Sequence, residues 1–410
     1  MKAAHLICKG CSATYPLDAQ FACVACFGPL EVGYTELDAP VSRERIEQGP
    51  RTLWRYADFL PVAPPPIGLP VGLSPLIRAD NLARVLGLEC ELYVKTETSN
   101  PTHSFKDRVV AIAAAKAVEL GFEALACAST GNLAGATAAA AAALGLPSYI
   151  FVPNDLEREK IVSAAAYGAT VFAVDGSYDD VNRLCSELAY ERPWAFVNVN
   201  MRAYYSEGSK TIALETAEQL GWRAPDRVVA PIASGSLYTK ILAGFEQGRA
   251  AGLIASGPPP VMHGAQGLGC SPVATAFAAG SDDVIPVRPS GIAKSLAIGN
   301  PADGVFALEV ARTTGGSISA ADDDAIVAGI RLLASTTGIF TETAGGVTIA
   351  VLKQLADEGR IGPGETVVAY ITGDGLKTID AVAPELSTVD IPADVDAVDA
   401  VLAGEVAHSV

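Results

Sequence analysis

From Glu91 onward the chain alternates short β-rich runs with alanine-rich stretches of helical length, and no other feature narrows its fold so far. The runs ELYVKTE, ALACAS, SYIFVP, TVFAVD, AFVNVN, RVVAPI and TVVAYIT read as strands. Between them, VVAIAAAKAVELG, NLAGATAAAAAALG and SEGSKTIALETAEQLG have the length of helices and end in glycine. Strand and helix in alternation require right-handed crossovers and a mainly parallel sheet, so the class is α/β. Open sheets of this kind take ligands at the carboxyl ends of the strands, where the helices begin. Chemistry is therefore expected directly after strand ends.

Half of the 410 residues are apolar and 18% are charged, enough to bury a core in two packed subdomains. The formal net charge of −17 opposes binding to a phosphate backbone or an anionic bilayer. Neither nucleic acid nor membrane is an expected partner. The opening MKAAHLICKG lacks the apolar run of a signal peptide, and the apolar stretch 134–152 is interrupted by Gly145 and Pro147. A cytoplasmic location follows as an expectation, with the eight cysteines reduced or metal-bound.

The first thirty-six residues read differently. Cys8-x-x-Cys11 and Cys23-x-x-Cys26 have the spacing of two thiol knuckles, which together complete a tetrahedron around one structural zinc. Residues 1–36 are thus expected to form a zinc-ribbon-like segment. Pro61, Pro64, Pro65, Pro66, Pro70 and Pro75 then mark a segment wrapped over a surface. The catalytic region is expected over 37–382, with an acidic tail over 383–410.

Several segments sit where such a sheet places its ligands. Lys106 follows ELYVKTE and opens a helix that Ser104 and Asp107 would fix with a capping box. The macrodipole disfavours a cation there, as suits a nucleophilic amine, although a solvated lysine beside a cap satisfies the same residues. Ser129-Thr130-Gly131-Asn132 follows ALACA, and Ala233-Ser234-Gly235-Ser236-Leu237 follows RVVAPI. Both are turns that lead into helices and can hold anions on backbone N–H groups, or can serve as ordinary caps. Thr372-Gly373-Asp374-Gly375-Leu376-Lys377 ends TVVAYIT, while Asn198, Asn200 and Arg202 end AFVNVN.

The segment from Asn100 to Arg108 resembles the NPTGSFKDR element of threonine synthase and its relatives, and the later segments match that family in the same order. The resemblance covers nearly the whole chain. It implies two subdomains with mainly parallel open sheets (pyridoxal-phosphate fold type II), the smaller over about 112–205. It implies pyridoxal 5'-phosphate carried on Lys106, with Asn132 at the phenolic oxygen and Thr372 facing the pyridine nitrogen. The turn of Ala233, Ser234, Gly235, Ser236 and Leu237 would hold the cofactor phosphate. Ser129 and Thr130 would hold the substrate carboxylate, Arg202 would grip the phosphate of a small phosphorylated amino acid, and Asn200 would join the substrate site. Lys294 and Lys240 are the further cations that could grip it, and Glu342, in GIFTETAGG, has no assigned role. His103 stands where the family has glycine, and Asp374 where histidine is common. The implied reaction converts O-phospho-L-homoserine and water to L-threonine and phosphate, in a homodimer. A cysteate synthase-like β-replacement of O-phospho-L-serine, a serine/threonine dehydratase, or a partner-binding protein that keeps the fold are the alternatives.

Overall fold

The computed structural model describes residues 2–35, 41–129, 131–154, 158–176, 178–385 and 388–404. Strands β1 (Lys2–Cys8), β2 (Thr14–Tyr15) and β3 (Leu30–Thr35) form a small antiparallel sheet in the order β2-β1-β3. The main sheet begins with β4 (Leu76–Arg78) and β5 (Glu91–Thr96). The chain then leaves it for β6 (Ala124–Ala128), β7 (Ser148–Pro153), β8 (Thr170–Val174) and β9 (Trp194–Phe196), an all-parallel sheet in the order β8-β7-β6-β9. It returns with β10 (Arg227–Pro231), β11 (Val261–Gly267), β12 (Ser317–Ala321) and β13 (Thr366–Ile371). These complete a six-stranded sheet, β12-β11-β10-β13-β5-β4, parallel except at β4.

Because β5, β10 and β13 are parallel neighbours, their carboxyl ends share one edge, and the segments at Lys106, 233–237 and Thr372 emerge together. Beneath that edge the strands are apolar, with Leu92, Val94, Val229, Val367 and Ala369 fully buried. Four charged side chains, Lys95, Glu97, Arg108 and Glu215, are also fully buried and neutralise one another. Arg108 donates to Glu97 (2.5 Å) and to Glu215 (2.8 Å), so the arginine two residues past Lys106 ties the site helix to the strands and to the helix Arg202–Gln219.

The sequence runs miss three strands of the six-stranded sheet. β11, VMHGAQG, contains Gly264, whose absent side chain leaves room for Ile232; a Cβ there would lie 2.4 Å from Ile232 Cδ1. β12, SISAA, is too small and polar to stand out, and β4 is three residues long. AFVNVN is shorter than its pattern suggests. The strand stops at Phe196, whose N–H donates to the Asn200 side chain (2.9 Å), and a turn replaces the rest. Asparagine turn chemistry wins there over β-branched alternation.

Candidate active site

Lys106 is the first residue of the helix Lys106–Glu119 and is half-buried. The expected capping box does not form. Asp107 instead accepts from the N–H (2.8 Å) and the hydroxyl (2.7 Å) of Thr102, while Ser104 Oγ is buried without a partner. The carboxylate reaches back over the loop because the loop turns sharply at His103, which has φ +59°. That left-handed conformation explains why glycine suits the position; here the His103 ring is held against the Thr98 carbonyl (3.1 Å).

The lysine loop is stitched to the end of β13. Phe105 N–H donates to the Thr372 carbonyl (2.8 Å), and Asp374 N–H donates to the His103 carbonyl (3.0 Å). Asp374 also caps the short turn Gly375–Lys377, accepting from Leu376 N–H (2.8 Å), a local structural use for the aspartate. A third segment joins them. Glu342 N–H and Thr341 Oγ1 both donate to the Gly373 carbonyl, at 3.1 and 3.0 Å.

Glu342 is the centre that the sequence left without a role. Its buried carboxylate accepts from Asn132 Nδ2 (2.8 Å) and from Thr372 Oγ1 (3.3 Å), so one side chain links both. A side chain at Gly373 would strike it, since a Cβ there would lie 2.5 Å from Glu342 Oε1. Burial pushes the Glu342 carboxyl above the usual carboxylate range, against the pull of the Asn132 contact.

Lys106 Nζ donates to the Tyr205 hydroxyl (2.9 Å), a second partner that the sequence did not single out. Tyr205 lies one turn after Arg202 on the helix Arg202–Gln219, and residues three apart share a face. That spacing is the signal that could have found it. Arg202 itself pairs with Asp303 (Nη2–Oδ2, 2.6 Å), and Lys9 from the cysteine-rich segment takes the other oxygen (Nζ–Oδ1, 3.2 Å). Asp303 precedes the helix Gly304–Thr313 and reads as its cap, yet it makes no side-chain capping bond.

The turn at 233–237 lies against the same aspartate. Asp303 N–H donates to the Ser234 carbonyl (2.8 Å), and Gly235, at φ +97°, presses on the Asp303 backbone. Gly235 caps the helix Ser236–Ala250 without a side-chain bond, leaving the first-turn amides directed outward. The residues present therefore suit a phosphorylated cofactor with an aldehyde. The lysine amine, the orphaned Ser104 hydroxyl, the Asn132–Glu342–Thr372 chain and an amide-rich turn surround one sheet edge.

Other expectations find different positions. Ser129 is buried and accepts from Gly131 N–H (3.3 Å), and Thr130 lies outside the described residues. Asn200 engages both ends of its amide with the backbone of its own turn, at Phe196 and Trp194. Asn198 lies closer to the anion loop, with Nδ2 toward the Ala128 carbonyl (3.5 Å) and a buried Oδ1 without a partner. Lys240 is committed to Glu207 (2.6 Å) and Glu31 (3.2 Å), and Lys294 is exposed. In the N-terminal sheet the sulfurs of Cys8, Cys11, Cys23 and Cys26 lie within 4.8 Å of one another. Neighbouring pairs stand 3.4 and 3.5 Å apart, too far for a disulfide and close to the roughly 3.8 Å edge of a tetrahedral zinc–thiolate site.

Residues 67–373 match the family model described as pyridoxal-phosphate dependent enzyme. The chain is 38% identical to the threonine synthase of Methanocaldococcus jannaschii over 91% of its own length and 93% of that protein. It is 36% identical to the threonine synthase of Methanosarcina acetivorans over 98% and 99% of the two chains. Among solved structures, a fungal L-serine ammonia-lyase from Rhizomucor miehei superposes with a TM-score of 0.65 at 21% identity, over 76% of this chain and 97% of that one, which supports the fold. The family match over three quarters of the chain and the two relatives place it: the chain belongs to the pyridoxal-phosphate-dependent enzymes and, among them, to the threonine synthases.

Proposed function

We propose that the protein converts O-phospho-L-homoserine and water to L-threonine and phosphate, using pyridoxal phosphate held on Lys106. One observation carries the choice of a phosphorylated substrate. The site has two places for anions: the amide turn at Ser234–Leu237, and the Arg202 guanidinium on the helix face that also brings Tyr205 to Lys106. The first suits the cofactor phosphate, and the second is then left for the substrate.

The bound cofactor would supply an electron-withdrawing ring next to the substrate's amino nitrogen. Lys106, once released from it, is placed to carry protons at the substrate carbons, with the Tyr205 hydroxyl holding its Nζ in position. Asn132 and Thr372 would orient the ring from two sides, their geometry fixed by Glu342. Ser129, Thr130 and the amides of that loop would receive the substrate carboxylate.

The deciding assay is phosphate release from O-phospho-L-homoserine compared with O-phospho-L-serine. A large preference for the first supports the reading. A preference for the second would assign a β-replacement of phosphoserine instead. Lys106→Ala should abolish turnover and borohydride labelling, and labelling at another lysine would overturn the assignment. Arg202→Ala should lower kcat/KM for phosphohomoserine by roughly two powers of ten while affecting a non-phosphorylated substrate much less.

The four thiols would hold one structural zinc, with all four positions filled by sulfur, so the metal would take no part in the chemistry. Metal analysis of protein purified without chelator should give about one zinc per chain. A homodimer in the cytoplasm completes the proposal, and light scattering tests the assembly. Among the described residues no helix is long and apolar enough to cross a membrane.

A further inference from the structure

We propose that Lys9, which the cysteine-rich segment inserts beside the catalytic body, is a positioning residue for the phosphate-gripping Arg202. The inference rests on the reading that Arg202 meets the substrate phosphate, and it extends that site into a part of the chain so far assigned only a structural role.

Lys9 sits inside the first knuckle, between Cys8 and Cys11. Its backbone is fixed there, its own N–H donating to the Pro29 carbonyl (3.0 Å) and Cys8 N–H donating to Ala13 (2.9 Å). The side chain leaves the knuckle and crosses the Phe306 ring, with Nζ 3.8 Å from its centre, before ending on Asp303 Oδ1 (3.2 Å). Asp303 Oδ2 holds Arg202 at 2.6 Å. All three side chains are largely buried: 14% exposed for Lys9, 7% for Asp303 and 21% for Arg202.

This sharing decides what Arg202 can do. A carboxylate facing one arginine attracts the whole guanidinium fork. Here Lys9 occupies one oxygen, and Arg202 meets the other through a single nitrogen, Nη2. The remaining donors of the fork stay available to a second anion. The charges agree, since Lys9 and Arg202 against Asp303 leave one positive charge in excess, while the nearby Glu31 and Lys240 offset each other. Without Lys9 the cluster is neutral and Asp303 competes with the substrate for Arg202. Asp303 also adjoins Gly235 through its backbone, so the aspartate is fixed relative to the amide turn and cannot follow Arg202 away.

The experiment measures inorganic phosphate binding to the cofactor-loaded protein by calorimetry, alongside kcat and KM for O-phospho-L-homoserine. Lys9→Met, which keeps the length that covers Phe306, should weaken phosphate binding by about tenfold. KM should rise by a similar factor, with kcat and the cofactor's absorbance band little changed. Lys9→Arg should restore most of the affinity. In an Arg202→Met background, Lys9→Met should add less than about a twofold change, because Lys9 acts through the arginine. Should Lys9→Met disturb folding, Lys9→Gln removes the charge while keeping a donor for Asp303, and a smaller loss in the same direction is expected. Unchanged phosphate affinity in the folded Lys9 variant, with a clear loss in Arg202→Met, would overturn this inference alone. Unchanged affinity in Arg202→Met would overturn the reading of Arg202 and the inference with it.

Discussion

Two clusters of buried charge press on the same helix, Arg202–Gln219, eight residues or about 12 Å apart along its axis. At Glu215 the cluster is closed. Arg108 donates to both Glu97 and Glu215, Lys95 Nζ donates to Glu215 (2.5 Å) and to the Ser74 carbonyl (2.6 Å), and the four charged side chains have no exposed surface. At Glu207 the cluster has an open rim. Lys210 and Lys240 each donate to its carboxylate at 2.6 Å and the Tyr34 hydroxyl donates at 2.5 Å, but Lys240 then passes to Glu31, which is 35% exposed. The first cluster binds the site helix to the strands that carry it. The second joins the N-terminal sheet to the body, and only Tyr34 and Glu31 come from that sheet. The same chemistry therefore serves a permanent joint in one place and a wetter, separable joint in the other.

Arg108→Met is the most severe way to break the comparison. It leaves Glu97 and Glu215 buried against each other with Lys95 as their remaining cation, and loss of one partner from such a cluster costs roughly 3–5 kcal/mol. Urea unfolding should show that loss, with the cofactor site failing at the same denaturant concentration. A cost under about 1 kcal/mol would mean that the closed cluster is replaceable. Glu207→Gln should cost less, about 1–3 kcal/mol, because Lys240 keeps Glu31 and the glutamine oxygen can still accept from Lys210. Its signature is local: faster proteolysis of the first thirty-five residues with the body intact. In the wild type, burial would push Glu207 up, but Lys210 and Lys240 outweigh burial and hold it at about 2. Its contribution is therefore full above the usual carboxylate value of 4.5 and declines only as pH falls from there toward 2. Uniform proteolysis of the whole chain in Glu207→Gln would show that the two joints do not differ.

The same contrast governs what the sequence reveals. Lys106, Thr372 and the amide turn could be placed together because each directly follows a plainly patterned strand of one parallel sheet, whereas Asn132 follows a strand of the second sheet and is joined to them through Glu342. Glu342 and Tyr205 complete the site through side chains that sit one helix away from those ends, so no local pattern announces them. Asp303 precedes a helix without capping it, and its side chain faces Arg202 and Lys9 instead. The cysteine spacing pointed to the four thiols that the N-terminal sheet gathers, but not to the delivery of Lys9 to the catalytic body. Contacts between segments that are distant in sequence depend on docking, which periodicity does not encode. The loop at Asp107 shows the reverse failure: a correct local motif, S-x-x-D, loses to a better partner, Thr102, once His103 turns the chain back.

Acid sharpens the contrast by acting on the two regions at different pH. His263, on β11, is fully buried, and its Nδ1 lies 2.9 Å from Ser317 Oγ. Its Nε2 faces Arg227 Nη1 at 3.4 Å. An arginine can only donate, so Nε2 must accept and the ring must be neutral, with its proton on Nδ1. Burial, reinforced by the charges of Arg360 and Arg227, lowers the imidazole from 6.5 to about 3. The unfolded chain takes up this proton near 6.5 and the folded chain only near 3, so stability is complete above 6.5 and falls as pH drops through that window. The loss is about 1.4 kcal/mol for each pH unit within it, before the Glu207 joint begins to weaken. Melting temperature followed from pH 7 to about pH 5 should therefore decline in the wild type, while proteolysis of the first thirty-five residues stays slow. His263→Gln should flatten that decline, at a modest cost near neutral pH. Parallel declines in wild type and variant would remove His263 as the cause, and early release of the N-terminal sheet would show that its joint weakens above the range in which Glu207 takes up a proton.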